Sequence, residues 1–162
     1  MVMKSMNDLF LHTLKDIYYA EKKIYKSLPK MAKNASSPEL KEVLEKHREE
    51  TGQQIVRLES IFEQCGAVAR SVRSDAMDAI LAEAKDLMQE VDDDIVCDAG
   101  MVAAAQAVKH YEISRYSTLA AWADQLGMQE ASKLLHETLA EEEKTNDLLS
   151  RIELGTVTKK AA

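Results

Sequence analysis

Glycine and proline are scarce in this chain, with five and two in 162 residues. A turn-rich β protein draws heavily on both types, so that class is excluded. Cysteine is nearly absent too. Cys65 and Cys97 stand far apart with no Cys-x-x-Cys, which excludes a disulfide framework and fits two reduced thiols in the cytoplasm. Positive charge is in the minority, 21 Lys and Arg against 28 Asp and Glu, for a net charge of −7. That balance gives no electrostatic drive onto nucleic acid or onto an anionic membrane surface. No apolar run reaches the roughly 18 residues of a membrane span. The opening MVMKSMNDLF lacks the apolar core and small-residue cleavage site of a secretory signal.

What the chain does have is helix formers. Ala, Leu, Glu, Lys, Met and Gln dominate, and the length suits one domain with a sizeable core. The pattern predicts a first helix from Met6 to Lys33, with Ser5 and Asp8 as a capping box. A second follows from Pro38 to Cys65, with Ser37 as N-cap, Pro38 at the first turn and Gly66 as the stop. A shorter helix covers Asp75 to Val91. Another long helix starts in VDDD and ends at Leu126, and a last one runs from Met128 to Ile152. Residues 1–155 form the domain and 156–162 a frayed tail. Short links make antiparallel neighbours. One long crossover carrying the short helix then gives an all-α, ferritin-like four-helix bundle.

One residue breaks the apolar seam of the first helix. Phe10, Leu14, Ile17, Ile24, Leu28 and Met31 recur at bundle spacing, and Glu21 sits among them. A carboxylate there must be neutral, paired or bound to a metal. Glu50, Glu112 and Glu142 lie near the middles of the other long helices, within about 3 Å of one level along the axis. Four converging carboxylates need cations. Di-iron and di-manganese bundle proteins use this layout, and carboxylate oxygens suit iron and manganese, with zinc favoured more if an imidazole joins. The Glu-x-x-His motifs of such proteins are missing here: Glu50 is followed by Gln53 and Gln54, and Glu142 by Thr145. His47, one turn before Glu50, is a candidate ligand or an outer hydrogen-bond partner. Glu49, Glu141 and Glu143 read as solvated.

At these residues the chain resembles the YciE/YciF family of bacterial stress-associated proteins, from about Met3 to Leu149. The stretches that carry the likeness are LKDIYYAEKKI, HREETGQQIVRLE, AAAQAVKHYEISRYSTLAAWADQLG and LLHETLAEEEKTNDLL. The resemblance implies a ferritin-like bundle with a central di-metal site, commonly a dimer. It implies Glu21, Glu50, Glu112 and Glu142 as core acids, with His47, Thr51 and Gln54 as the polar residues beside Glu50. The chain departs at Lys109, where family members often carry a glutamate. A lysine there removes a ligand and competes with metal for Glu112 if it points inward.

The expected function is therefore a cytoplasmic, ferritin-like stress protein binding a dinuclear iron or manganese centre. Glu50 and Glu142 bridge the ions and Glu21 and Glu112 complete them, with His47 and Gln54 as further ligand candidates. Detoxification, iron oxidation and substrate oxidation all fit reaction with oxygen or peroxide. The alternative is a structural or stress-interaction bundle whose metal site is weak or lost. Tyr111, Tyr116 and Trp122 on the third long helix are read as a surface for a homodimer partner, the other option being that the short crossover helix covers them.

Overall fold

A computed structural model describes residues 2–153, 155 and 158–161 of the chain. The described residues are helical or in short links, and form α1 (Met6–Asn34), α2 (Pro38–Gln64), α3 (Asp75–Glu90), α4 (Asp94–Gln125), α5 (Gln129–Ile152) and a short turn of helix, α6 (Thr158–Ala161). The fold is the expected all-α four-helix bundle, and the five main helices end within a residue or so of the expected positions. Ser5, Ser37 and Ser74 each accept a hydrogen bond from the backbone N–H three residues on, capping α1, α2 and α3. Gly66 and Gly127 take positive φ, 63° and 71°, and so end α2 and α4 where a side chain would be strained. Of the expected tail, residues 158–161 form α6 against α4, and Thr156, Val157 and Ala162 lie outside the described residues. No helix among the described residues is long and apolar enough to cross a membrane.

Side-chain pairings give the topology. In the α1–α2 hairpin, Tyr18 bonds Glu59, and Arg48 covers the Tyr25 ring. In the α4–α5 hairpin, Lys109 pairs with Glu142, and Gln106 bonds Ser150. The hairpins meet antiparallel as well. Asp16, early in α1, meets Arg115, late in α4, and Ser36, just beyond α1, meets Asp98, early in α4. On the other side Glu50 faces Thr145 and Arg57 faces Glu137. So α2 and α4 run the same way, and the chain must travel the length of the bundle between them. Residues 65–93 do this, with α3 laid across α1 and α4.

The core is a continuous apolar stack of residues such as Phe10, Leu14, Ile17, Leu44, Leu58, Leu119 and Leu135, each at most 1% exposed. Burying each such side chain stabilises the fold by about 1.5–3 kcal/mol. Within the aromatic row read as a partner surface, Tyr116 is the correction, while the other two stay partly exposed. Tyr116 is fully buried, Tyr111 is half-buried and hydrogen-bonded to Asp16 and to Ser74 at the start of α3, and Trp122 packs partly buried on the core.

Asp98 is a contact the sequence pattern did not single out. Its carboxylate is 2% exposed and accepts from the Ser36 N–H at 2.8 Å, the Ser36 hydroxyl at 2.7 Å and the Ser37 N–H at 2.6 Å. It thereby ties the α1–α2 link to α4 and fixes the axial register of the two hairpins. Hydrogen bonds to a charged acceptor are the stronger kind. Asp98→Ala is expected to cost about 3 kcal/mol in urea denaturation, with Asp98→Asn losing less. Equal stability of all three proteins would show that the link needs no anchor.

Candidate metal centre

At mid-length the apolar stack is interrupted by a polar layer. The reason is periodic: Glu21 follows Ile17 and precedes Ile24 on the buried stripe of α1, and Lys109, Glu112 and Tyr116 share one face of α4 at three- and four-residue steps. Glu21, His47, Lys109, Glu112 and Glu142 are each no more than 2% exposed. One nitrogen of His47 and one oxygen each of Glu112 and Glu142 all lie within 4.8 Å of one another.

Lys109 enters this layer rather than reaching solvent. Its Nζ lies 2.5 Å from Glu142 Oε2 and 3.0 Å from Glu112 Oε2. His47 Nε2 is 3.8 Å from the same Glu112 oxygen. Tyr116 donates its hydroxyl to Glu21 Oε1 at 2.5 Å.

Burial and mutual repulsion set the protonation. Burial would lower the Lys109 ammonium, but Glu112 and Glu142 outweigh it and hold the pKa above its ordinary value, so the lysine stays charged. Burial, then the charges of Glu112 and Glu142, raise the Glu21 carboxyl well above the ordinary range. Glu142 is pushed up to about 7, chiefly by burial and by Glu112, with Lys109 opposing. Burial and the Lys109 charge hold His47 well below its ordinary value, so it is neutral, the form in which imidazole binds metals. Burial and Glu21 keep Tyr116 protonated as a donor.

The layer is incompletely satisfied. Glu21 Oε2, His47 Nε2, Glu142 Oε1 and both Glu112 oxygens have no hydrogen-bond partner, although Glu112 Oε2 keeps its ionic contact with Lys109. Buried polar atoms seldom go unpaired. Three carboxylates against one ammonium leave two negative charges uncompensated when all are ionised. One divalent ion matches that charge, and one imidazole with carboxylate oxygens is a donor set that suits iron, manganese or zinc. The residues present therefore fit a single cation.

The structure gathers Glu21, Glu112, Glu142 and His47, but not all of the expected ligands. Glu50 lies at the rim of the bundle, where it accepts from Thr145 Oγ1 at 3.0 Å and sits 3.9 Å from Lys46 Nζ. Gln54 is buried, yet its amide donates to Glu141 at 3.0 Å. Glu141 is not simply solvated. It binds both terminal nitrogens of Arg57, at 2.7 and 2.8 Å. The sequence pattern missed Tyr116 as the partner of Glu21; its place one turn after Glu112 was the available signal.

These protonation states carry a pH dependence. A carboxyl whose pKa rises on folding contributes stability that is complete below its unfolded value and is lost as pH climbs through the folded one. For Glu142 that window runs from 4.5 to about 7, and Glu21 acts in the same direction. Metal-free protein should lose a few kcal/mol between those limits, and Glu142→Gln should flatten the slope. Urea midpoints across pH measure it, and a flat profile for the parent would show that the carboxyls ionise without penalty.

Known proteins share both sequence and chain path with this one. Protein YciF of Escherichia coli (strain K12) is 40% identical over 162 residues, covering 99% of this chain and 98% of its own. The crystal structure of the E. coli stress protein YciF matches with a TM-score of 0.92 at 39% identity, over 97% of this chain and 99% of that one. YcfI of Rhodopseudomonas palustris, suggested to be a structural protein, matches with a TM-score of 0.89 at 45% identity, over 91% and 94%. A Xanthomonas campestris pv. campestris protein at 22% identity shares the fold, with a TM-score of 0.75 over 95% and 94%. The family described as "Domain of unknown function (DUF892)" matches residues 5–162. The chain belongs to the DUF892 family, and the E. coli stress protein YciF is one of its relatives.

Proposed function

We propose that this protein is a stress-associated, ferritin-like bundle that holds one divalent iron or manganese ion at mid-length, between His47, Glu112 and Glu142, with Glu21 beside them. The observation that carries the reading is the set of buried, unpartnered atoms on these four residues. The stress role is drawn from the relative, which is described as a stress protein. When bound, the ion supplies redox reactivity toward oxygen or peroxide.

The chain's own residues prepare the site. His47 offers a neutral nitrogen and pays no proton for binding. Glu21 holds its proton in the free protein and releases it as a cation arrives, while Glu142, near its midpoint at neutral pH, gives up the part it still carries. Tyr116 keeps the Glu21 carboxyl oriented toward the layer. Lys109 acts as a fixed second positive charge, bonded to two of the three acids. A second ion would have to displace it, so the expected stoichiometry is one rather than two. Free Cys65 and Cys97 fit a reducing, cytoplasmic setting. A homodimer is proposed on the family resemblance alone.

The second reading, a bundle without metal, is favoured by the same lysine, because Lys109 already compensates part of the charge. Anaerobic titration with iron(II), read by calorimetry on untagged protein, separates the two. One ion per chain is expected. Glu21→Gln should weaken binding while leaving the metal-free fold intact or steadier. Lys109→Glu should admit a second ion or tighten the first about tenfold, equivalent to about 1.4 kcal/mol. No binding of iron, manganese or zinc by the parent would leave the structural reading standing.

A further inference from the structure

A groove of about 360 Å³ opens between α1 and α3. Its rim carries Lys23, Lys26, Lys30 and Lys85, and its floor includes Ser27, Met31 and Leu81. Beneath that floor lies a second, much smaller cavity of about 10 Å³. The two share Ser27, Met31 and Leu81 in their walls. The inner one continues past Ile24, Leu28, Ala105 and Val108, and His47 forms part of its wall. Residues of four helices therefore line two adjoining cavities, the groove on the outside and a small one that has the His47 imidazole in its wall.

The size and lining select what can use it. About 10 Å³ for molecular centres is room for about one water-sized molecule. A buried water needs two to four polar partners, and small dry apolar cavities bind apolar gases instead. Aliphatic side chains dominate these walls, so an ion would lose its hydration there at great cost. The lysine rim can hold anions at the mouth, but the inner cavity excludes them.

We propose that the two cavities join, past Leu81 of α3 and Met31 of α1 as an outer gate, into a passage by which a small, uncharged, apolar molecule of the size of dioxygen reaches the buried layer. The route extends the metal-centre reading, but it is a property of the packing and needs no ion.

The test uses the full chain, stripped of metal by a chelator and labelled at its methyl groups with carbon-13. Dissolved dioxygen is paramagnetic and speeds the relaxation of the methyls it visits. Under oxygen pressure, the methyls of Ile24, Ala105 and Val108 are expected to relax several-fold faster than those of Leu58, Ile61 and Leu135, which are no more exposed than 1%. A hydrophilic gadolinium chelate should leave both sets unaffected. Leu81→Trp should abolish the enhancement at Val108. Should that variant not fold, Ala105→Val narrows the passage from the opposite wall and should do the same at Ile24. Equal enhancement in both sets overturns the proposal. So does an enhancement at Val108 that survives in folded Leu81→Trp, or a gadolinium effect that copies the oxygen pattern, since that reports local opening. Loss of the oxygen effect leaves iron titration untouched, and failure to bind iron leaves the oxygen effect untouched, so the two readings fall separately.

Discussion

The ammonium of Lys109, buried at 0% exposure between Glu112 and Glu142, is the constraint to which the centre of this bundle is fitted. Taking one charge out of water costs several kcal/mol even after the protein relaxes, so a lone lysine here would lose its proton. Two carboxylates within 3.0 Å keep it charged. That choice propagates. The positive charge helps to hold His47 neutral. It can satisfy only part of the negative charge of three acids, so repulsion adds to burial in raising Glu21 and Glu142. Tyr116 then serves Glu21 as a donor that is itself kept protonated. Low local polarity strengthens these contacts and makes each unpaired atom costly.

The bundle can carry such a layer because its stability lies elsewhere. Leu40, Leu44, Leu58 and Ile61 bracket the polar stretch of α2, as Ile17 and Ile24 bracket Glu21 on α1. The register of the two hairpins is held at one end by Asp98 on the α1–α2 link and on an outer face by Arg57 with Glu137 and Glu141. The central layer is thus left to be tuned by charge. A buried ionic group often adds little net stability over well-packed hydrophobes. The layer is therefore not what holds the helices together.

How much of this was legible depended on what periodicity can and cannot encode. Helix positions, caps and the long crossover followed from apolar spacing, Ser and Pro at the starts and Gly at the stops. Glu21 and His47 interrupt the apolar seams of their helices, so period 3.6 marked them, while Glu112 and Glu142 were read from their places near the helix centres and prove to be buried as well. Glu50 was read from the same mid-helix position, which leaves its direction round the helix open. It lies three residues after His47, about 60° round the helix from it, and far enough to face Thr145 at the rim. Height along an axis is cheap to read from helix centres, whereas azimuth needs the whole seam. The inward direction of Lys109 was open because a long aliphatic stem can serve either side. Tyr116 was counted with the surface because a tyrosine looks alike in sequence whether its ring packs inward or outward. Asp98 was missed because its partners, two backbone N–H groups and one serine hydroxyl, lie more than sixty residues away, and no local pattern marks them.

The crossover helix gives the central layer its one asymmetric side. Only Met77 and Ala84 of α3 are fully buried, against ten residues of α1. Its polar anchors cluster at its start, where Asp78 meets Tyr19 and Arg73 and where Ser74 meets Tyr111. Leu81 and Met88, farther along, are only partly buried. Elements with few buried contacts are the ones that open at least cost, which makes α3 the main helix that opens most cheaply, although Leu87 near its end packs closely on Gly100 of α4. The four long helices close the layer on the sides where they interlock through ion pairs. The groove and its passage lie where α3, the least buried of the main helices, supplies part of the wall. The segment that topology demands between two helices of the same direction thus also supplies, through Leu81, one wall of the cavity that reaches His47.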